Sequence, residues 1–236
     1  MTASVRLGAM ATGVDVLERE MYSEAEAARL LGVPQGTLHY WLEGKAFRSK
    51  RYRPVIRVEP KGGPAPLTWA EFVEAGLLRE YRRTHQVPMA ELRLFIDELR
   101  EKFGVPYPLA DLRPFTSGKA IVRDAQVSAG LDAEYCLVAV ANQQLLLTPP
   151  SQSFLQRVQW LGDVASGWRP AAEPESPVIM QPTRRFGRPS IGGISTEVLW
   201  ERVEGGEDVG EVAEAFELTV RDVRWALAYE NATRAA

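Results

Sequence analysis

The sequence predicts an α+β protein, mostly helical, with an N-terminal winged helix-turn-helix, a small central β-sheet and a C-terminal three-helix domain. Three observations predict this. Capped segments with helical apolar spacing occupy much of residues 23–103 and 196–231. A basic, β-branched stretch from Phe47 to Val58 interrupts the first group. Short segments without a helical period lie between Arg113 and Trp168.

The first helix opens at Ser23, which forms a capping box with Glu26, and Gly32 stops it. Pro34 suits the first turn of a second helix, running to about Trp41 and ended by Gly44. The basic stretch and the loop Lys61-Gly62-Gly63-Pro64 read as a β-wing. Thr68 with Glu71 is a second capping box, opening a helix to about Thr84 with Phe72, Ala75, Leu77 and Leu78 at helical spacing. Val87-Pro88 breaks it. Met89 to Phe103 is helical again, with Leu92, Phe95, Ile96 and Leu99 on the apolar side. Lys119–Arg123, Gln144–Thr148, Phe154–Trp160 and Asp163–Trp168 read as short strands, with a strand–turn–strand around Leu161-Gly162. Arg169–Pro177 has a linker's composition. Val178–Met180 is a candidate strand. Three helices follow: Thr196–Glu204, Val209–Phe216 and Thr219–Asn231, the third capped by Thr219 with Asp222. No internal repeat is visible. The implied division is an arm at 1–20, a DNA-binding module at 21–110, a β-rich region at 111–170, and a linker with a helical domain at 171–236.

Composition limits the function classes. With 45% hydrophobic residues and no apolar run near the roughly 20 residues that span a bilayer, no membrane partner is expected. Asp15, Glu18, Arg19 and Glu20 interrupt any signal-peptide core, so the expected location is cytoplasmic. The single cysteine, Cys136, lies in the apolar run 136–140 and reads as a small buried hydrophobe. The net charge is −3, but its distribution is uneven. Lys45, Arg48, Lys50, Arg51, Arg53, Arg57 and Lys61 face only Glu59 within their stretch. Glu197, Glu201, Glu204, Glu207, Asp208, Glu211, Glu214 and Glu217 crowd the C-terminal region. The first stretch suits an anion.

A helix-turn-helix needs a small residue where its helices cross, a left-handed turn residue and apolar inner faces. Counting Glu24 as position one, Ala28 is fifth, Gly32 ninth and Leu38 fifteenth, with Ala27, Leu31, Val33 and Trp41 inward. In that geometry the second helix enters the major groove. Gln35, Thr37, His39 and Tyr40 would then face DNA: Gln35 could read adenine, and Thr37 could meet a phosphate or a thymine methyl. Lys45, Arg48, Lys50, Arg51 and Arg53 of the wing would grip phosphates.

The run from Tyr22-Ser23-Glu24-Ala25 through Leu30-Leu31-Gly32-Val33 to Thr37-Leu38-His39-Tyr40-Trp41 resembles the start of MerR-type regulators. Met89–Phe103 is too short for their dimerising coiled coil, and their cysteine ligands are absent. The whole chain is more similar to VapB-type antitoxins that join such a module to the domain of unknown function 433. Leu67–Glu74 through Leu92, Phe186–Thr196, and Glu211–Leu218 with Val223–Glu230 carry this resemblance, in that order. It implies a homodimer that represses its own promoter and neutralises a PIN-domain ribonuclease toxin. Gly187–Gly193 lacks a P-loop lysine and reads as a tight structural turn.

No catalytic signature appears. His39 and His85 are the only histidines, and HExxH, GxSxG, GxGxxG and metal-ligand spacings are missing. The expectation is a non-enzyme without cofactor or metal. A MerR-like regulator controlled by a small ligand, and a protein-interaction scaffold, remain alternatives.

Overall fold

The computed structural model describes residues 16–47, 50–63, 65–84, 88–133, 136–141, 144–171 and 173–235. Ser23 Oγ accepts the Glu26 amide at 3.2 Å and starts α1 (Glu24–Leu31). Gly32, at φ 61°, ends α1 in the left-handed region, and α2 (Gln35–Glu43) follows Pro34. Ala27, Ala28, Leu31, Leu38 and Trp41 seal the inner faces of this helical hairpin, as their spacing predicts. Strand β1 (Glu20–Tyr22) pairs antiparallel with β4 (Leu67–Thr68), and β2 (Lys45–Phe47) with β3 (Lys50–Tyr52).

The basic stretch is strand only as far as Tyr52. Beyond it the chain turns inward and buries Val55, Ile56 and Arg57, so the expected strand to Val58 is corrected. Two adjacent β-branched residues gain more from the core than from an exposed wing.

The Thr68 hydroxyl accepts the Glu71 amide and the Glu71 carboxylate accepts the Thr68 amide, the predicted capping box. It opens α3 (Trp69–Thr84), buried on all sides from Trp69 to Leu78. Helix α4 (Met89–Phe103) ends at Gly104, with Leu92, Phe95, Ile96 and Leu99 inward as predicted. His85 and Val87 lie outside the described residues.

Lys119–Arg123 is not a strand. It begins α5 (Lys119–Ser128), whose buried Val122, Ala125 and Gln126 lie three and four residues apart, on one helical face. Phe154–Trp160 is also corrected: α6 (Pro149–Arg157) runs through Phe154, and only β7 (Val158–Leu161) is extended. Two prolines at the start of α6 suit a first helical turn, where their missing N–H groups have no partner to lose. Strand β8 (Val164–Trp168) pairs with β7 around Gly162, and β5 (Val138–Ala141) pairs with β6 (Gln144–Leu147). The central region therefore holds separate two-stranded hairpins instead of one sheet.

One core joins these parts. Trp69 donates its indole N–H to the Ala165 carbonyl at 2.7 Å, and Phe72 meets Trp168 edge-on at 6.3 Å. Gly76 of α3 has no side chain because Trp168 occupies that space: a Cβ there would lie 2.6 Å from the indole. The stretch expected to be a linker is tied down by Arg169 donating to the Ser176 carbonyl. Met180 then exchanges two 2.8 Å backbone hydrogen bonds with Trp168.

A second, smaller core contains Val178, Ile191, Leu199, Val212, Ala213, Val223 and Ala226. The hairpin β9 (Ser190–Ile191) and β10 (Ile194–Ser195) turns at Gly192-Gly193, the tight turn the sequence predicts. Helices α7 (Thr196–Glu204), α8 (Val209–Ala215) and α9 (Val220–Arg234) pack on it, with a capping box between Thr219 and Asp222.

The α8–α9 pair repeats the α1–α2 hairpin. Ala213, Glu217 and Val223 stand at the spacing of Ala28, Gly32 and Leu38, and Glu217 is left-handed at φ 55°. The turn hydrogen bonds correspond: Val33 N to Ala28 O at 3.0 Å, and Leu218 N to Ala213 O at 2.9 Å.

Candidate nucleic-acid interface

Helix α2 and the β2–β3 hairpin enclose a groove of about 700 Å³, lined by Gly36, Thr37, His39, Tyr40, Lys45, Ala46, Tyr52 and Met89. Sterics set its wall. Gly44, at φ 75°, lets the chain leave α2 against the hairpin; a Cβ would sit 2.2 Å from the Tyr52 carbonyl oxygen.

The expected contact residues fall on this surface unevenly. Gln35 and His39 are exposed on α2, while Thr37 and Tyr40 are half-buried. His39 Nδ1 lies 3.0 Å from the carboxylate of Glu24, which is itself buried at the start of α1. Lys45 and Arg51 are exposed on the hairpin, where Lys45 lies opposite Tyr52 and Ala46 opposite Arg51. Arg51 has no carboxylate within 4 Å among the described residues, whereas Arg53 pairs with Asp97 at 3.0 Å. Lys50 enters through its backbone pairing with Phe47, and Arg48 lies outside the described residues.

Arg57 does not belong to this surface. It is buried and binds the Glu71 carboxylate at 3.0 and 3.2 Å, the Glu43 carboxylate and the Pro66 carbonyl. Two carboxylates offset its desolvation and raise its pKa.

Arg93 was not among the expected residues. From α4 it donates to the Tyr40 hydroxyl at 2.6 Å and to the Arg53 carbonyl at 2.8 Å. Its guanidinium also lies over the Tyr40 and Tyr52 rings, at 5.2 and 5.9 Å from their centroids. One cation thus fixes α2 and the hairpin relative to each other. A lone arginine on an amphipathic helix carries no sequence signal for that role.

Cys136 is half-buried, its thiol 3.6 Å from the Asp132 carbonyl oxygen, and burial raises its pKa. Among the described residues no group of three or more His, Cys, Asp or Glu is placed to hold a metal. Among them also, no helix is long and apolar enough to cross a membrane.

The fold is therefore α+β, about half helical, with small separate two-stranded sheets. The chain belongs to the same family as the "Uncharacterized protein Rv2308" of Mycobacterium tuberculosis (strain ATCC 25618 / H37Rv), to which it is 30% identical over 234 residues, 94% of each chain. It is also 27% identical over 222 residues to the "Putative antitoxin VapB45" of the same strain, covering 88% of this chain and 92% of that one. The crystal structure of Rv2018 from Mycobacterium tuberculosis shares the fold: TM-score 0.69 at 24% identity, over 89% of this chain and 99% of that one. No protein-family model matches the chain.

Proposed function

We propose that this protein is a DNA-binding antitoxin without catalytic activity. In this reading a cytoplasmic homodimer represses its own promoter and neutralises a PIN-domain ribonuclease toxin. The relationship to the VapB45 protein supports the antitoxin part. The observation that carries the DNA-binding part is the exposed face of α2 beside a hairpin whose Arg51 has no carboxylate partner among the described residues. Gln35 and His39 would read base edges, and Lys45, Arg51 and Arg53 would hold phosphates. The exposed carboxylates of α7 and α8 suit the basic surface of an RNA-cleaving enzyme.

The test is fluorescence anisotropy with the protein's own promoter duplex across a salt series. Arg51→Ala with Arg53→Ala should weaken binding on every sequence and reduce the salt slope by about 0.9 per lost phosphate contact. An unchanged slope removes the hairpin from the interface. Co-expression with the neighbouring gene product, followed by light scattering, tests the toxin and the dimer.

A second reading, a ligand-controlled regulator, draws on a pocket of about 370 Å³ between α1 and α9, lined in part by Arg29, Arg79, Arg157, Trp225 and Tyr229. A melting shift with a small anion and no protein partner would favour it.

A further inference from the structure

The segment Arg184-Arg185-Phe186-Gly187-Arg188 has no contact role in the proposed DNA interface. From Val178 to Thr196 its three arginines are the only ionisable side chains, whereas residues 197–217 hold eight carboxylates and one arginine. Within the C-terminal unit, this loop is thus cationic beside the acidic α7 and α8.

The loop's backbone is strained. Arg185 (φ 48°), Phe186 (φ 53°) and Gly187 (φ 72°) are left-handed in succession, a region costly for the two residues that have a Cβ. The fold enforces it. The Tyr22 hydroxyl donates to the Gly187 carbonyl at 2.6 Å, and burial keeps that hydroxyl protonated by raising its pKa. Arg185 Nε donates to the Gly193 carbonyl at 2.7 Å. A Cβ at Gly187 would fall 2.2 Å from the Tyr22 oxygen, so only glycine closes the turn.

The strain gains no internal packing. Phe186 is 87% exposed. Arg184 and Arg185 have no carboxylate within 4 Å among the described residues, while Arg188 lies 3.9 Å from Glu26 and 4.0 Å from Glu197. A costly backbone that displays an aromatic ring beside two exposed arginines without carboxylate partners among the described residues is built for something outside the chain.

Position names the partner. Tyr22 and Glu26, which anchor the loop, flank Ser23, the cap of α1. When a helix-turn-helix sits on DNA, its first helix crosses the sugar-phosphate backbone. The loop then lies beside a phosphate strand. Arginines with an apolar wedge are the side chains that grip a minor groove.

We propose that Arg184, Arg185 and Phe186 make a second contact with duplex DNA, flanking the groove entered by α2: the arginines hold phosphates and Phe186 wedges against the minor-groove edge. This rests on the DNA-binding reading.

The experiment measures affinity and salt slope on the promoter duplex for the full-length protein and its variants, with a hydroxyl-radical footprint. Arg184→Ala with Arg185→Ala should lower the slope by about 1.8, two phosphates at 0.9 each. Phe186→Gly should weaken binding about tenfold, lose the flanking minor-groove protection and keep the slope. It should also raise the melting temperature, because glycine accepts the left-handed backbone; a loop ring of purely structural use would show the opposite pair of changes. Variants that bind and footprint like the parent overturn the inference and leave the DNA-binding reading intact. A parent protein that binds no duplex overturns both. Variants that lose a co-purifying protein partner but keep DNA assign the loop to that partner and overturn the inference.

Discussion

Glu74 is fully buried in α3, its one oxygen accepting the Leu109 amide at 3.0 Å and the other 3.9 Å from Arg100. Burial raises its pKa to about 7, against the opposing pull of Arg100 and the Leu109 amide. The folded state therefore binds a proton that the unfolded chain has already released near pH 4.5. Stability falls as pH rises between those values and stays lower above them. At pH 8 the deficit is on the order of 3 kcal/mol. Glu74→Gln should gain melting temperature relative to the parent between pH 5 and pH 8; a difference that does not change with pH would show that Arg100 fully compensates the charge. Residues of this kind are hard to read from sequence. Arg57 and Arg51 look alike in a basic run, yet one is buried between two carboxylates and the other is exposed. Only the neighbouring Val55-Ile56 hints at where the chain turns inward.

At the scale of elements, helices with caps were legible, because a cap fixes both a start and a phase. Thr68 with Glu71 and Thr219 with Asp222 form the expected boxes. Lys119–Arg123 and Phe154–Arg157 are helical where the sequence suggests strands, since a short apolar window fits either period and burial against distant elements decides between them. The hairpin α8–α9 was hidden for another reason. Its turn position holds Glu217 where α1–α2 has Gly32, so the left-handed signal is missing. That substitution has a measurable cost: Glu217→Gly should stabilise the protein by about 1 kcal/mol, read as a rise in melting temperature. No rise would mean that glycine's greater freedom in the unfolded chain or the side chain's own contacts offset the relief. Of the candidate interface, the exposed residues of α2 are legible from the register of one hairpin, whereas the Arg93 bridge depends on where α4 docks.

The whole molecule has two cores of unequal size, joined where Met180 pairs with Trp168 while Val178 enters the smaller core. Leu199→Ala opens a cavity in that smaller core, at a cost of about 2–5 kcal/mol. Hydrogen exchange should then accelerate across residues 190–231 while the amides of α3 keep their protection. Equal acceleration in α3 would show that the two cores unfold as one.

Gly76 and Trp168 meet at the centre of the larger core, a residue without a side chain receiving the largest one. Their sizes form a sum that the space can hold only once. Over evolutionary time neither position is free to drift alone: an alanine or serine at 76 calls for a smaller ring at 168. Across the family the two columns of an alignment should change together, with their combined volume nearly constant.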